Sequence, residues 1–135
     1  MQIKLHHLNL SSTNVTAMDE FYRAVLGLEP EPSLAPARVM TQGYAGNVSF
    51  VSDGNIQVHL AEKDLSVGFR TRNFVNPVER GHIAFRTDDI AAFKKRLDEK
   101  GIAYSDYGKW SMSGWHQIFF YDPDGNVIEV HQAQE

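Results

Sequence analysis

Three histidines and one glutamate, His7, His59, His82 and Glu129, each lie in a short strand-like run. Imidazole nitrogen and carboxylate oxygen on rigid strands are the donors a borderline divalent ion takes. The four fall into two pairs. His7 in Leu5-His6-His7-Leu8 leads His59 in Gln57-Val58-His59-Leu60, and His82 in Gly81-His82-Ile83 leads Glu129 in Ile128-Glu129-Val130, at comparable separations. A half-site met once in each half of the chain reads as one metal site built by two related modules. Strand alternation puts His7 with Leu5 and Asn9, leaving His6 on the other face unless a one-residue bulge exchanges them. Glu129 sits between Ile128 and Val130, so it shares no face with them, and a carboxylate so bracketed is costly to bury unpaired. His131, two residues on, has the same phase and is expected at a fraying strand end.

The elements that must position these residues repeat. Ile3–Leu10 reads as a strand, Ser11–Asn14 as a cap, and Val15, Met18, Phe21, Tyr22, Val25 and Leu26 recur at helical spacing before Gly27. Glu29–Pro36 holds three prolines and reads as irregular chain or an edge strand. Arg38–Tyr44, Val48–Val51 and Ile56–Ala61 read as strands, which gives β-α-β-β-β. The second half matches: strand His82–Arg86, a cap at Asp88-Asp89, helix positions Ile90, Phe93 and Leu97, the stop Gly101, and extended segments at Ile102–Tyr107, Gln117–Tyr121 and Val127–His131. The expected organisation is a single domain over 1–135, with module one at 1–65, a linker at 66–79 and module two at 80–135.

Composition bounds the function. The chain has 135 residues, no cysteine and a formal net charge of −4. That size suits one compact unit, and the charge disfavours nucleic acid or an anionic membrane as partner. Without cysteine there is neither a thiolate metal site nor a thiol nucleophile. No run has the length of a membrane span, so the expected setting is cytoplasmic and the expected partner a small molecule.

The motifs His7-Leu8-Asn9-Leu10, Phe21-Tyr22-Arg23-Ala24-Val25-Leu26-Gly27-Leu28, Gly81-His82-Ile83-Ala84-Phe85 and Asp122-Pro123-Asp124-Gly125-Asn126-Val127-Ile128-Glu129 run from end to end of the chain. Together they resemble the vicinal oxygen chelate superfamily, which includes glyoxalase I, bleomycin-resistance proteins, fosfomycin-resistance enzymes and extradiol dioxygenases. The resemblance implies an α+β fold of paired βαβββ modules curled into a mixed-sheet cup. It places metal ligands at His7, His82 and Glu129, and a homodimer is expected because single-domain members often share the site between chains.

The fourth slot, a glutamate in glyoxalase I that doubles as base, is His59 here. The metal set is therefore His7, His59, His82 and Glu129, with His59 and Glu129 as the catalytic candidates. The ion is one divalent metal: Zn, Ni, Mn, Fe or Co. The substrate would offer adjacent oxygens, and glyoxalase-like lyase or isomerase chemistry comes first. The alternatives are an extradiol Fe(II) dioxygenase, a fosfomycin-type thiol transferase, or a non-catalytic drug-binding protein. Candidate substrate contacts are Asn9, Lys109, Ser113, His116 and Phe119, while Arg70 and Arg72 could clamp an anion or be a solvated cluster.

Overall fold

The computed structural model describes residues 1–134. Its order is β1 (Ile3–Ser12), α1 (Val15–Ala24), β2 (Glu29–Pro30), a 3₁₀ turn at Pro32–Ala37, β3 (Val48–Ser52), β4 (Gln57–Glu62) and α2 (Val67–Thr71), followed by β5 (Gly81–Thr87), α3 (Ile90–Glu99), β6 (Ser105–Lys109), β7 (Trp115–Tyr121) and β8 (Val127–Ala133). The strands form one sheet in the order β2-β3-β4-β1-β5-β8-β7-β6. Read outward from the centre, each half runs first, fourth, third, second strand. The repeat in the sequence is thus a repeat in space. β1 pairs parallel to β4 and β5 parallel to β8, while β1 and β5 meet antiparallel and join the halves. The cup is assembled by one chain.

Matching caps start the long helices. Asn14 accepts from the Ala17 amide and Asp89 from the Ala92 amide, each satisfying a first-turn donor that would otherwise be orphaned. Both helices end at a glycine in the left-handed region, Gly27 and Gly101. α3 buries Ile90, Phe93 and Leu97 against Ile118 and Val130 of the outer sheet face. α1 has no buried residue, and Phe21, Val25 and Leu26 remain exposed. Its apolar stripe is real but only partly covered.

Two local readings are corrected and one is narrowed. Arg38–Tyr44 is not a strand: its one ladder contact is a bridge from Arg38 to Met112. The edge strand of the first half is the short Glu29–Pro30 segment, because the prolines that follow tighten into a 3₁₀ turn. The stretch 66–79 is more than a linker, since it contains α2 and inserts Val67, Val75 and Val78 into a core with Tyr44, Trp110 and Phe119. Among the described residues no helix is long and apolar enough to cross a membrane.

Candidate metal centre

Strand register brings the four scattered residues together. On β1, His7 lies opposite Gln57 of β4, and Asn9 lies between His59 of β4 and His82 of β5. His59 faces Phe50 of β3, and Glu129 faces Phe119 of β7. The two halves therefore present the same local frame, with His59 and Glu129 in corresponding slots. His7, His59, His82 and Glu129 all line one cavity on the concave face; His7, His59 and Glu129 are buried and His82 is half-buried. Its apolar wall comes from Phe50, Met112 and Trp115 on one cluster and from Tyr44, Val48 and Trp110 around the other.

Hydrogen bonds to carbonyl oxygens set which nitrogen carries the hydrogen in His82 and His59. His82 Nδ1 is 2.7 Å from the Pro77 carbonyl, which can only accept, so Nδ1 carries the hydrogen. Its Nε2 then faces Glu129 Oε1 at 3.0 Å. An imidazole lone pair and a carboxylate oxygen repel at that range, so a proton or a cation must lie between them. His7 Nε2 is 3.9 Å from the same oxygen. His7 Nδ1 is 2.8 Å from His6 Nδ1, and in the tautomer in which His7 donates there its Nε2 lone pair is left facing Glu129. His59 stacks on His7, with ring centres 3.8 Å apart, and its Nε2 is 2.8 Å from Gln57 Oε1.

His131 departs most from its expected place. It is fully buried rather than fraying, and it stacks on Trp115 at 4.2 Å between ring centres. Its Nδ1 donates to Glu129 Oε2 at 2.6 Å, and its Nε2 accepts from Arg86 Nε at 3.0 Å. One donor atom each from His7, Glu129 and His131 lies within 4.8 Å of the others, a group of the size that can hold an ion. However, both nitrogens of His131 are already engaged. His82 stands outside that group of three, but its Nε2 faces the same carboxylate oxygen as His7, while His131 holds Glu129 from behind through Oε2. The signal for this was present in the sequence as the shared phase of residues 129 and 131.

The electrostatics agree. Burial resists the charge on Glu129, but His7, His131 and His82 crowd it so closely that its carboxyl stays well below the usual carboxylate range. Burial pulls His59 down to about 3 and His7 well below its ordinary value, the His59–His7 contact adding to the effect on His7. Both rings are neutral at pH 7 and offer lone pairs, which is the state a metal needs.

His6 sits at a register shift in the β1–β5 ladder between Leu5 and His7. That bulge turns it toward the interior beside His7, Trp115 and His131. Of the expected substrate contacts, Asn9 lines the cavity, and its Nδ2 is buried without a partner among the described residues. Phe119 is fully buried in the core against His82. Lys109 and Ser113 are exposed and do not line the cavity. His116 pairs with Asp106 at 2.8 Å, beside α3 on the other face of the sheet. Arg70 is tied to Asp64 and the Gly43 carbonyl, Arg72 is exposed, and neither lines the cavity. The cation that does line it is Arg38, which nothing in the sequence set apart.

Residues 4–130 match the Glyoxalase/Bleomycin resistance protein/Dioxygenase superfamily. The chain belongs to that family. It is 27% identical over 130 residues to "Glyoxylase I 4" of Arabidopsis thaliana, covering 93% of this chain and 68% of that one. Among solved structures, a hypothetical protein from Bacillus halodurans superposes with a TM-score of 0.71 at 19% identity, over 100% of this chain and 97% of that one. Methylmalonyl-CoA epimerase from Mycobacterium tuberculosis also gives 0.71, at 18% identity, over 98% and 89% of the two chains. At such identities these structures carry the fold, an open curled eight-stranded sheet with few helices. Members of the superfamily are mostly enzymes that bind a divalent metal, and the cluster around Glu129 is of the kind that could hold one.

Proposed function

We propose that the chain is a divalent-metal-dependent enzyme that shifts a proton on carbon next to a carbonyl or hydroxyl, in a small substrate with two adjacent oxygens. One observation carries the reading: His82 Nε2 and Glu129 Oε1 face each other at 3.0 Å in the cavity, with the other His82 nitrogen directed at the Pro77 carbonyl, so that a proton or a metal ion belongs between them. Buried acceptors do not stay opposed without a positive centre between them. His7, His82 and Glu129 would hold the ion, with His59 beside them. The glyoxylase and epimerase names among the relatives support chemistry at a carbon next to a carbonyl.

A bound divalent ion supplies positive charge that lowers the cost of negative charge on a carbonyl oxygen. The rest falls to the chain. His59, neutral through burial and held at Nε2 by Gln57, offers Nδ1 as the proton acceptor. Glu129, oriented by His131, is the second group able to take a proton. Asn9 offers an amide donor at the ligand end, and the aromatic wall limits water. The space is tight, about 40 Å³, which favours a compact substrate.

Two measurements test this. Elemental analysis of protein loaded with Zn, Ni, Mn, Fe or Co should find one ion per chain in wild type and none in His82→Ala. Proton NMR in deuterated water should then show exchange at the carbon beside the carbonyl of α-oxo and α-hydroxy compounds with the loaded protein alone. Wild type that takes up no ion would overturn the reading.

A further inference from the structure

Arg38 is the feature that the proposed chemistry leaves unused. It follows the 3₁₀ turn, bridges to Met112, and lines the same cavity as His7, His82 and Glu129. One arm is anchored: Nη1 donates to the Gly46 carbonyl at 2.6 Å, and the guanidinium lies 5.5 Å from the Tyr44 ring centre. The other nitrogen, Nη2, is buried and has no acceptor among the described residues. No described carboxylate is in ion-pair contact with Arg38 either. A buried guanidinium nitrogen without an acceptor is costly, and the charge on it makes the cost larger.

The charge of the cavity points the same way. Arg38 and Glu129 are the charged side chains of its lining, and they cancel. A divalent ion would leave its own two charges uncompensated, so the enclosed space calls for an anionic guest. Asn9 adds a second orphan donor from the opposite element. Its side chain is 6% exposed, its Nδ2 lacks a partner, and it lies between His59 and His82 in the ladder, at the ligand end. The cavity thus holds two unmet donors, one beside the ligand cluster and one on the loop wall.

We propose that Arg38 receives a carboxylate of the substrate, so that the substrate is a compact acid carrying this group in addition to the oxygen pair directed at the ligand cluster and Asn9. This rests on the metal-dependent reading above and deepens it by naming the substrate class. Carboxylate suits the site better than phosphate, because one free guanidinium nitrogen on an otherwise apolar wall cannot satisfy a phosphate's three terminal oxygens. A neutral aldehyde or ketone would leave Arg38 unanswered.

The test uses matched acids with the same oxo-acid end, with and without a second carboxylate. These are oxaloacetate against 2-oxobutyrate, and 2-oxoglutarate against 2-oxopentanoate. Titration calorimetry on metal-loaded wild type should give at least about tenfold tighter binding of the diacid in one pair, the scale of a charge-assisted hydrogen bond. Arg38→Gln should erase that difference, and Arg38→Lys should keep part of it, with circular dichroism and metal content matching wild type in both. Equal binding within both pairs by wild type, as when Nη2 merely holds a water, overturns the proposal. So does a diacid preference that survives in Arg38→Gln. Elemental analysis of the same samples separates the two readings. A protein without metal overturns the proposed function, whereas the Arg38-dependent difference is read within pairs that share one oxo-acid end.

Discussion

Replacing His131 with phenylalanine separates the residue that orients Glu129 from those that face the ion. Phenylalanine keeps the ring that stacks on Trp115 at 4.2 Å but removes both nitrogens. Glu129, 1% exposed, then loses the donor held at 2.6 Å on Oε2. A hydrogen bond to a charged group contributes about 1.5–3 kcal/mol, and the orphaned Arg86 Nε adds about 1 kcal/mol because Arg86 is half-buried. The metal-free protein should lose about 3 kcal/mol, or roughly 10 °C in Tm at this chain length. Zinc affinity, read by competition with a chromogenic chelator, should fall by about 10- to 100-fold, the range for a residue behind a ligand. One ion per chain should still bind at saturating zinc. If His131→Phe abolishes binding while His82→Ala retains it, the roles assigned to the two histidines are reversed and the tautomer argument fails.

Other outcomes follow from the same geometry. In chelator-treated protein His6, His7 and His59 stay neutral when folded but take up protons below about 6.5 when unfolded. The unfolded state binds more protons, so stability falls as pH drops from about 6.5 toward 4, by about 1.4 kcal/mol per pH unit for each such histidine. Urea melts across that range should show uptake of about three protons on unfolding, and pH-independent melts would refute it. Gly81→Ala would put a Cβ 2.2 Å from the Asn9 carbonyl oxygen, next to His82, at a φ of +133°. It should cost several kcal/mol in thermal melts and weaken metal binding together, because the β1–β5 seam would have to part. Phe119→Ala empties a fully buried position and should cost about 3–5 kcal/mol in denaturant melts, while Lys109→Ala, exposed and remote from the cavity, should leave stability and metal content unchanged.

The duplicated architecture was legible because both halves use the same punctuation, a polar cap before an amphipathic helix and a glycine after it. Convergence of His7, His59, His82 and Glu129 around one cavity was legible for a related reason: strand phase is local, and the repeat supplies the pairing that phase alone cannot. What stayed hidden depends on contacts between distant segments. The bulge at His6 is set by how β1 registers against β5, not by the composition of β1. Arg38 looked like part of a strand, yet its partners are Gly46, Tyr44 and Met112, and that loop path has no periodic signature. Likewise Lys109 and His116 had plausible spacing, but the pleat of β6 and β7 turns them away from the concave face. His131 was in phase but not expected to be covered, since Trp115, Arg86 and His6, which enclose it, come from other strands.

His59 and Glu129 stand on equivalent rungs of β4 and β8, each backed by a phenylalanine. Two identical halves would have set the same group on both rungs. Encoding both halves in a single polypeptide lets them differ, so an uncharged ring lies on one flank and an anion on the other. A guest between them meets unlike neighbours left and right, and its two ends cease to be interchangeable. Which way round it lies should therefore matter to whatever this pocket accepts.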